Sequence, residues 1–273
     1  MNKDIFKMIN YATKKGSFVS MDSNATIMNK QIIKKLLETD LDSLSISIDG
    51  ANQKIYGKIR KGGNLNIVLS NLKELIKQRN EKNSSLKIFV AIVVQRDNIK
   101  NLIETIKLLD SFGVDEINPV PIVEYDIKEY EKFTLKNSIN ELQKVCENIL
   151  KLKLKSKLNY DFIMKYLKDA KKGNIEYQKE PCYVPWYSTY ITWEGDVLPC
   201  CYFYDKQLCF GNVFKEDFKK IWNNKKYKNF RKSMSTIRKF RVCQTCRWEE
   251  EFFEDKFKLL KKIPVIKNLS KRK

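Results

Sequence analysis

The sequence predicts an α/β protein with a parallel sheet, because strand and helix patterns alternate through its first half. The continuously apolar run 86–94 is typical of a strand that is buried on both faces. Before it, residues 65–76 place apolar side chains at helical spacing behind Asn64, a favourable helix cap. Strand–helix repeats of this kind imply right-handed crossovers, so we expect a sheet that is open or curled toward a barrel.

The other elements follow from the same patterns. A strand is predicted at 17–21 and another at 42–49, with an amphipathic helix between them. After the apolar strand, Asp97 or Asn98 can cap a further helix, and a fourth strand follows at 114–121. These elements predict consecutive strand–helix units on one sheet.

The strand at 42–49 has two different faces. Its apolar residues alternate with Ser45, Ser47 and Asp49, so a polar face is predicted toward the lumen of a barrel. The alternative is an edge strand with a solvated face. A glycine-rich turn follows and carries Arg60 close to the carboxyl end of the strand, where parallel α/β proteins bind ligands.

The charge and composition exclude several classes of function. The 273 residues include 53 basic and 33 acidic side chains, a net charge of +20, and no histidine. Without histidine, Ser-His-Asp, Cys-His and histidine-ligated zinc mechanisms are excluded. The basic excess is nearly all lysine and is spread along the chain, whereas nucleic-acid sites favour arginine. We therefore expect no nucleic-acid partner.

Six of the seven cysteines fall between residues 182 and 246. A disulfide framework needs an oxidising compartment, and the chain shows neither a secretory signal nor a membrane span, so we expect a cytoplasmic protein whose thiols bind metal. Cys182, one of Cys200 and Cys201, and both thiols of Cys243-x2-Cys246 supply four ligands. Spacing alone leaves both a tetrahedral zinc ion and an iron-sulfur cluster open.

The same stretch resembles the SPASM domain, the auxiliary iron-sulfur module of many radical S-adenosylmethionine (radical SAM) enzymes. The resemblance is carried by "CYVPW", "YITWEGDVLPCC", "FGNVFKEDFKKIWNN" and "CQTC". It implies a [4Fe-4S] cluster with a single set of ligands: Cys182, Cys200, Cys243 and Cys246. Cys201 and Cys209 receive no role, and we expect Cys209 to be structural.

The first half is similar to the middle of a radical SAM barrel. Asn24-Ala25 after one strand, "SID" at the end of the next and an arginine with paired glycines beyond it carry this resemblance. It implies that Asn24, Ser47 and Arg60 line an S-adenosylmethionine pocket, with Arg60 pairing the methionyl carboxylate. Asp49 is expected to face substrate.

The defining C-x3-C-x2-C segment of radical SAM enzymes does not occur in this sequence. We therefore assign no catalytic residue and expect the chain to be inactive alone, with S-adenosylmethionine bound only if the missing segment is supplied. Two interpretations stay open, the C-terminal part of a radical SAM/SPASM enzyme and a non-catalytic iron-sulfur module, and a zinc protein ranks third.

A truncated barrel would expose the edge of strand 17–21, so we expect an N-terminal fragment or partner chain to cover it. The substrate, a peptide or a small molecule, is not determined by the sequence.

Four regions follow from this interpretation. Residues 1–125 form a partial radical SAM-like barrel, 126–179 a helical connector, 180–250 a SPASM-like iron-sulfur domain and 251–273 a basic tail. The predicted fold class is therefore a truncated partial (β/α) barrel of parallel strands followed by a small cysteine-rich domain.

Overall fold

A computed structural model describes residues 2–122, 128–171, 181–203 and 208–235, together with residues 240, 243 and 246. Two compact units divide the chain: residues 1–123 with 129–174 form the first, which we call the sheet unit, and residues 124–128 with 175–273 form the second, which we call the cysteine unit. The predicted basic tail at 251–273 lies outside the described residues.

The sheet unit alternates helices and strands, as the sequence patterns predict. Its strands are β1 (Ser20–Ser23), β2 (Ser43–Ser47), β3 (Lys87–Val94), β4 (Glu116–Pro121) and β5 (Lys157–Leu158). Its helices are α1 (Ile5–Lys14), α2 (Lys30–Leu36), α3 (Gln53–Ile59), α4 (Leu65–Glu81), α5 (Leu102–Ser111), α6 (Ile139–Ile149) and α7 (Asp161–Lys171). Short 3-10 turns cover Ile99–Asn101, Lys128–Phe133 and Lys136–Ser138.

Helix boundaries follow local capping chemistry. Asn64 caps α4 as predicted, because its side-chain oxygen accepts the backbone N–H of Ile67 at 3.2 Å. Asn29 and Asn52 cap α2 and α3 in the same way. At the other end of α5, Gly113 takes a φ of +75°, which glycine adopts without the steric cost that other residues incur.

The strands pair in chain order and in parallel, β1-β2-β3-β4-β5. Leu44, Ile46, Ile88, Val90 and their neighbours on one face are fully buried in the aliphatic core with the helices. The opposite face is partly accessible, because Ser45 and Ser47 of β2 and the residues paired with them on β3, Phe89 and Ala91, are only half-buried. The predicted parallel α/β sheet is thus confirmed, and its carboxyl edge holds Ser47, Val94 and Pro121.

The cysteine unit has small elements and an aromatic core. The hairpin β6 (Tyr190–Ile191) and β7 (Val197–Leu198) precedes α8 (Phe218–Asn223) and α9 (Lys225–Met234), and 3-10 turns cover Val184–Trp186 and Cys201–Phe203. Phe210 stacks on Tyr227 with ring centroids 4.0 Å apart, and Phe203 meets Phe230 edge to face at 6.0 Å. Of the helices in the described ranges, none is both long and apolar enough to cross a bilayer.

Candidate functional site

Three of the four predicted ligand cysteines belong to one hydrophobic cluster in the cysteine unit. Cys243 is buried in it with 7% of its surface exposed, and Cys182 and Cys200 pack against it half-buried. Cys246 follows three residues after Cys243, and its backbone N–H approaches the Cys243 carbonyl at 3.4 Å. The fold thus gathers thiols from three separate parts of the sequence around one core.

The thiols of this region affect one another electrostatically. The pKa of the Cys200 thiol is raised to about 12, mainly by burial and also by like-charge repulsion from Cys201, Cys246 and Cys243. A hydrogen bond from the Tyr202 backbone acts in the opposite direction. Such a group of thiols is suited to bind a positively charged metal centre, because coordination replaces the mutual repulsion of thiolates with attraction.

The loop that carries Cys182 is fixed from both ends. The Cys182 backbone N–H donates to the carbonyl of Met234 at the end of α9, at 3.0 Å. Four residues after Cys182, Trp186 closes a 3-10 turn in which Pro185 provides a buried carbonyl. Arg231 Nε donates to that carbonyl at 2.8 Å. The cysteine loop and α9 therefore hold each other in place.

Arg231 is a buried residue of this region that the sequence patterns did not single out. Only 8% of it is exposed, and its guanidinium carbon lies 4.0 Å from the ring centroids of both Trp222 and Tyr227. Nη1 donates to the Trp222 carbonyl at 2.7 Å, whereas the buried Nη2 has no hydrogen-bond partner among the described residues. Burial lowers the pKa of this guanidinium, and the neighbouring Tyr227 opposes that shift. One signal was available: position 231 lies on the same helical face as Tyr227, Phe230 and Met234.

The remaining thiols differ from these four. Cys201 is exposed, and the Cys209 thiol donates to the Gly211 carbonyl at 3.3 Å. Cys146 lies in the core of the sheet unit, where burial raises its pKa to about 11. Across the described residues, no three Cys, Asp or Glu side chains converge as ligands of one metal ion. In a [4Fe-4S] cluster each thiolate binds a different iron atom. The four thiols that hold a cluster therefore lie farther apart than the ligands of a single metal ion.

The predicted cofactor residues of the sheet unit lie at the carboxyl edge of the sheet. Ser47 ends β2 and is half-buried, while Asn24 follows β1 and is exposed. Because Ser23 pairs with Ile46, the register places Asn24 level with Ser47 on the adjacent strand. The Asn24 side chain accepts the Thr26 backbone N–H at 3.1 Å, and so helps to shape the turn.

That turn is fixed from α4. Ala25 is fully buried with a φ of +55°, a conformation that costs energy in a residue with a Cβ atom. Asn71 donates to its carbonyl at 2.8 Å, and Ser23 Oγ accepts its backbone N–H at 3.0 Å. These contacts hold the Asn24-Ala25 turn against the sheet.

Asp49, which the sequence resemblance placed toward substrate, is instead 1% exposed and bound on both sides. One carboxylate oxygen accepts from Arg60 Nε at 2.6 Å, and the other accepts the Val93 backbone N–H at 2.7 Å. These two hydrogen bonds, one of them from a charged guanidinium, replace the hydration that the carboxylate loses on burial. Asp49 therefore positions Arg60 at the ends of β2 and β3.

Asn98 also departs from its predicted role as a helix cap. Its side-chain oxygen accepts the Gln95 backbone N–H at 2.9 Å, and its amide donates to the carbonyls of Asp49 and Val93 at 3.0 and 2.9 Å. It makes no capping hydrogen bond to the turn that follows. A buried amide with three backbone partners ties the ends of β2 and β3 together, which sequence spacing does not reveal.

Comparisons with known families cover both regions. Residues 182–247 match the SPASM model, an iron-sulfur cluster-binding domain, and residues 1–109 match the radical SAM superfamily. The chain is a radical SAM/SPASM domain protein. The SPASM match includes the four candidate ligand cysteines, and the radical SAM match includes Asn24, Ser47 and Arg60.

Two curated relatives match most of the chain. It is 25% identical over 248 residues to the tungsten-containing aldehyde ferredoxin oxidoreductase cofactor-modifying protein of Pyrococcus furiosus, with 82% of this chain covered. It is 24% identical over 248 residues to the AdoMet-dependent heme synthase of Methanosarcina barkeri, with 81% covered. In both cases the chain spans 64% of the relative's length.

Solved structures share the fold. SuiB of Streptococcus suis has a TM-score of 0.59 at 16% identity, over 84% of this chain and 54% of SuiB. Native anSMEcpe with bound AdoMet has a TM-score of 0.51 at 16% identity, over 84% of this chain and 62% of anSMEcpe. The predicted fold class, parallel α/β followed by a SPASM domain, is confirmed.

Proposed function

We propose that this chain holds an auxiliary [4Fe-4S] cluster on Cys182, Cys200, Cys243 and Cys246, as part of a radical SAM/SPASM enzyme. The observation that carries the proposal is that Cys200 and Cys243, more than forty positions apart in the sequence, pack in one hydrophobic cluster. Cys182 packs against the same core. When bound, such a cluster supplies one-electron redox chemistry or a contact to substrate.

The protein's own residues set the environment of that cluster. The aromatic core formed by Phe203, Phe210 and Phe230 excludes water from the side of the thiols that faces it. The Tyr202 backbone N–H donates toward the Cys200 sulfur, a contact that stabilises a thiolate ligand. Thiolate ligands require a reducing compartment, which supports a cytoplasmic location.

The sheet unit supports a second part of the proposal, a pocket for S-adenosylmethionine at Asn24, Ser47 and Arg60. Among the described contacts, Arg60 uses only Nε, toward Asp49, so Nη1 and Nη2 remain to pair a carboxylate through two parallel hydrogen bonds. SuiB and anSMEcpe have both been solved with this cofactor. Since this sequence contains no C-x3-C-x2-C, the proposal assigns the pocket and not the radical-forming step.

The edge of the sheet at β1 is the basis of a third part of the proposal, a partner chain that covers this edge. Of the described strands, β1 pairs only with β2. Phe18 is 74% exposed, and Tyr11 and Met8 of α1 are 69% and 54% exposed. An open edge beside apolar side chains favours association, so we propose that further polypeptide covers it. Light scattering tests this proposal. We expect the chain to associate, and we expect Phe18→Ser to weaken that association. A strictly monomeric chain contradicts the proposal.

The cluster is tested by purifying the full chain without oxygen. We expect a brown protein with about four iron and four sulfide per chain. Cys200→Ser should lose most of this iron, whereas Cys209→Ser, the matched control, should keep it. A colourless protein that carries zinc, or equal iron loss in both variants, overturns the assignment.

The pocket is tested by equilibrium dialysis with labelled S-adenosylmethionine. Arg60→Met should weaken binding about tenfold or more, because a bidentate carboxylate contact is lost. Lys58→Met removes a nearby exposed charge from α3, the helix that Arg60 directly follows, and serves as the control. Equal affinity in wild type and Arg60→Met contradicts the proposed role of Arg60.

A further inference from the structure

Arg231 of α9 is a buried cation in the cysteine unit. It is 8% exposed, and among the buried polar residues that the structure describes it is the only basic one. Its guanidinium donates to two backbone carbonyls and stacks on two aromatic rings. None of these four groups carries a negative charge, so they do not neutralise the positive charge of Arg231.

Other arginines of the chain have different surroundings. Arg60 and Arg79 each pair with an aspartate, and Arg96 is exposed to solvent. Of the arginines within the described ranges, Arg231 alone is buried without a carboxylate partner. Its missing counter-charge is therefore a local feature, and not a consequence of the basic composition.

A buried charge without a counter-charge is unfavourable. A cation loses its hydration on burial, and hydrogen bonds and cation–π contacts offset only part of that loss. Nη2 of Arg231 is buried and has no hydrogen-bond partner among the described residues, so even the polar compensation is incomplete. Buried charges in folded proteins are paired with a group of opposite charge. The surroundings of Arg231 therefore favour a negatively charged group that the described side chains do not supply.

The candidate ligand cysteines lie in the same core. Both rings on which Arg231 stacks belong to the hydrophobic cluster of the cysteine unit. That cluster includes Cys182, Cys200 and Cys243. Arg231 Nε also donates to the Pro185 carbonyl, three residues after Cys182. Because four thiolates more than neutralise the positive iron-sulfur core, a [4Fe-4S] cluster held by these thiols carries a net negative charge.

We propose that Arg231 is the counter-charge of the auxiliary cluster and raises its reduction potential. The inference rests on the proposed cluster. Reduction adds one electron to the cluster and so increases its negative charge, and a buried cation in the same core stabilises the more negative state. Charges interact more strongly in a protein interior than in water, so this one guanidinium has a larger effect than an exposed lysine.

A purely structural role is the competing explanation. Arg231 connects the loop after Cys182 with α8, so its loss also disturbs packing. The two roles predict shifts of opposite sign. Looser packing admits water, which stabilises the more negative reduced cluster and raises the potential, whereas loss of a positive charge lowers it.

The test measures the reduction potential of the full chain, purified without oxygen and carrying its cluster. Dithionite supplies one electron per cluster through mediators, and electron paramagnetic resonance reports the reduced fraction. In Arg231→Met, the ratio of reduced to oxidised cluster at a fixed potential should fall about tenfold, a shift of about 59 mV for one electron. Arg231→Lys keeps the charge and should stay within about threefold of wild type.

Two controls separate the effect of charge from that of packing. Lys232→Met removes one exposed positive charge at the next position of α9, and should change the ratio by less than about twofold because water screens that charge. Met234→Ala removes buried contacts from the same cluster and leaves the charge unchanged. Its ratio should stay level or rise.

An unchanged or higher potential in Arg231→Met overturns the inference. So does an equal decrease in Met234→Ala or in Arg231→Lys. Where Arg231→Met holds too little iron for the titration, Arg231→Gln replaces it as the neutral variant. If both neutral variants lose their iron, retention in Arg231→Lys supports the counter-charge, and equal loss in all three contradicts it.

Iron and sulfide analysis separates this inference from the proposed cluster. If wild type contains neither, the proposed cluster fails and the role of Arg231 fails with it. If wild type contains both and the potentials of wild type and Arg231→Met are equal, only the role of Arg231 fails.

Discussion

The two units stabilise their interiors in different ways. The sheet unit packs a large aliphatic core between its helices and strands, and its buried charge, Asp49, is matched by Arg60 and a backbone N–H. The hydrophobic cluster of the cysteine unit has eight buried residues among those described, four of them aromatic, and the unit also contains a buried arginine with one nitrogen that has no partner among the described residues. A core of that size provides little stability alone, so we expect the cysteine unit to depend on its metal centre.

Removal of the cluster should give the largest effect and tests that comparison directly. In protein stripped of iron by a chelator and an oxidant, amides of α9 should lose protection from hydrogen exchange by about a hundredfold or more, because metal binding and folding are coupled. Amides of β3 should keep their protection. Hydrogen-exchange mass spectrometry measures both in one sample, and equal loss in the two units contradicts the comparison.

Arg231→Met should destabilise the cysteine unit by about 3 kcal/mol. The substitution removes two hydrogen bonds to the Pro185 and Trp222 carbonyls, leaves the Pro185 carbonyl buried without this donor, and removes the stacking on two rings. Lys232→Met, one position along the same helix and exposed, should change stability by less than about 0.5 kcal/mol. Denaturant unfolding followed by cluster absorbance measures both, and similar values would assign Arg231 no structural role.

Asp49→Asn should cost the sheet unit about 2 kcal/mol, less than Arg231→Met costs the cysteine unit. An amide can still accept from Val93, but it loses the charge that pairs with Arg60, which is itself about one third exposed and partly screened by water. Asp22→Asn on β1 is the exposed control. Thermal unfolding of the sheet unit followed by circular dichroism should separate the two variants by several degrees.

The smallest expected difference concerns two glycines with similar backbone conformations. Gly113 of the sheet unit has a φ of +75° and open space around it, whereas Gly195 has a φ of +87° and an added Cβ atom would lie 2.6 Å from the Phe214 ring. Alanine should cost about 1 kcal/mol at Gly113 from strain alone, and about 1 kcal/mol more at Gly195. Adding Phe214→Ala to Gly195→Ala should remove the excess, and a double-mutant cycle measures whether it does.

The strand and helix pattern was predictable because burial follows local periodicity. The apolar run 86–94 became β3 (Lys87–Val94), and Asn64 caps α4 as expected. The first strand lies at Ser20–Ser23 and not at 17–21, since its position is fixed by pairing with Ser43–Ile46. Residue propensities therefore indicate that a strand is present, whereas pairing with the neighbouring strand sets its bounds and register.

The candidate site was only partly predictable. Thiol spacing identified the cysteines, and the resemblance to known families indicated Arg60. Nothing in local sequence indicated that Asp49 would be buried beneath Arg60, or that Asn98 would connect two strands instead of capping a helix. The ligand set and the cofactor residues remain predictions that the proposed experiments test.

The sequence by itself determined which segments are strands, which faces are apolar, and that any metal centre has no histidine ligand. Only the tertiary structure decided that Arg231 would meet Pro185 and that Asp49 would meet Val93. The physical reason is the distance along the chain over which each effect acts. Periodicity and capping act over a few residues, whereas the compensation of a buried charge or thiol depends on partners that the chain brings together only by folding.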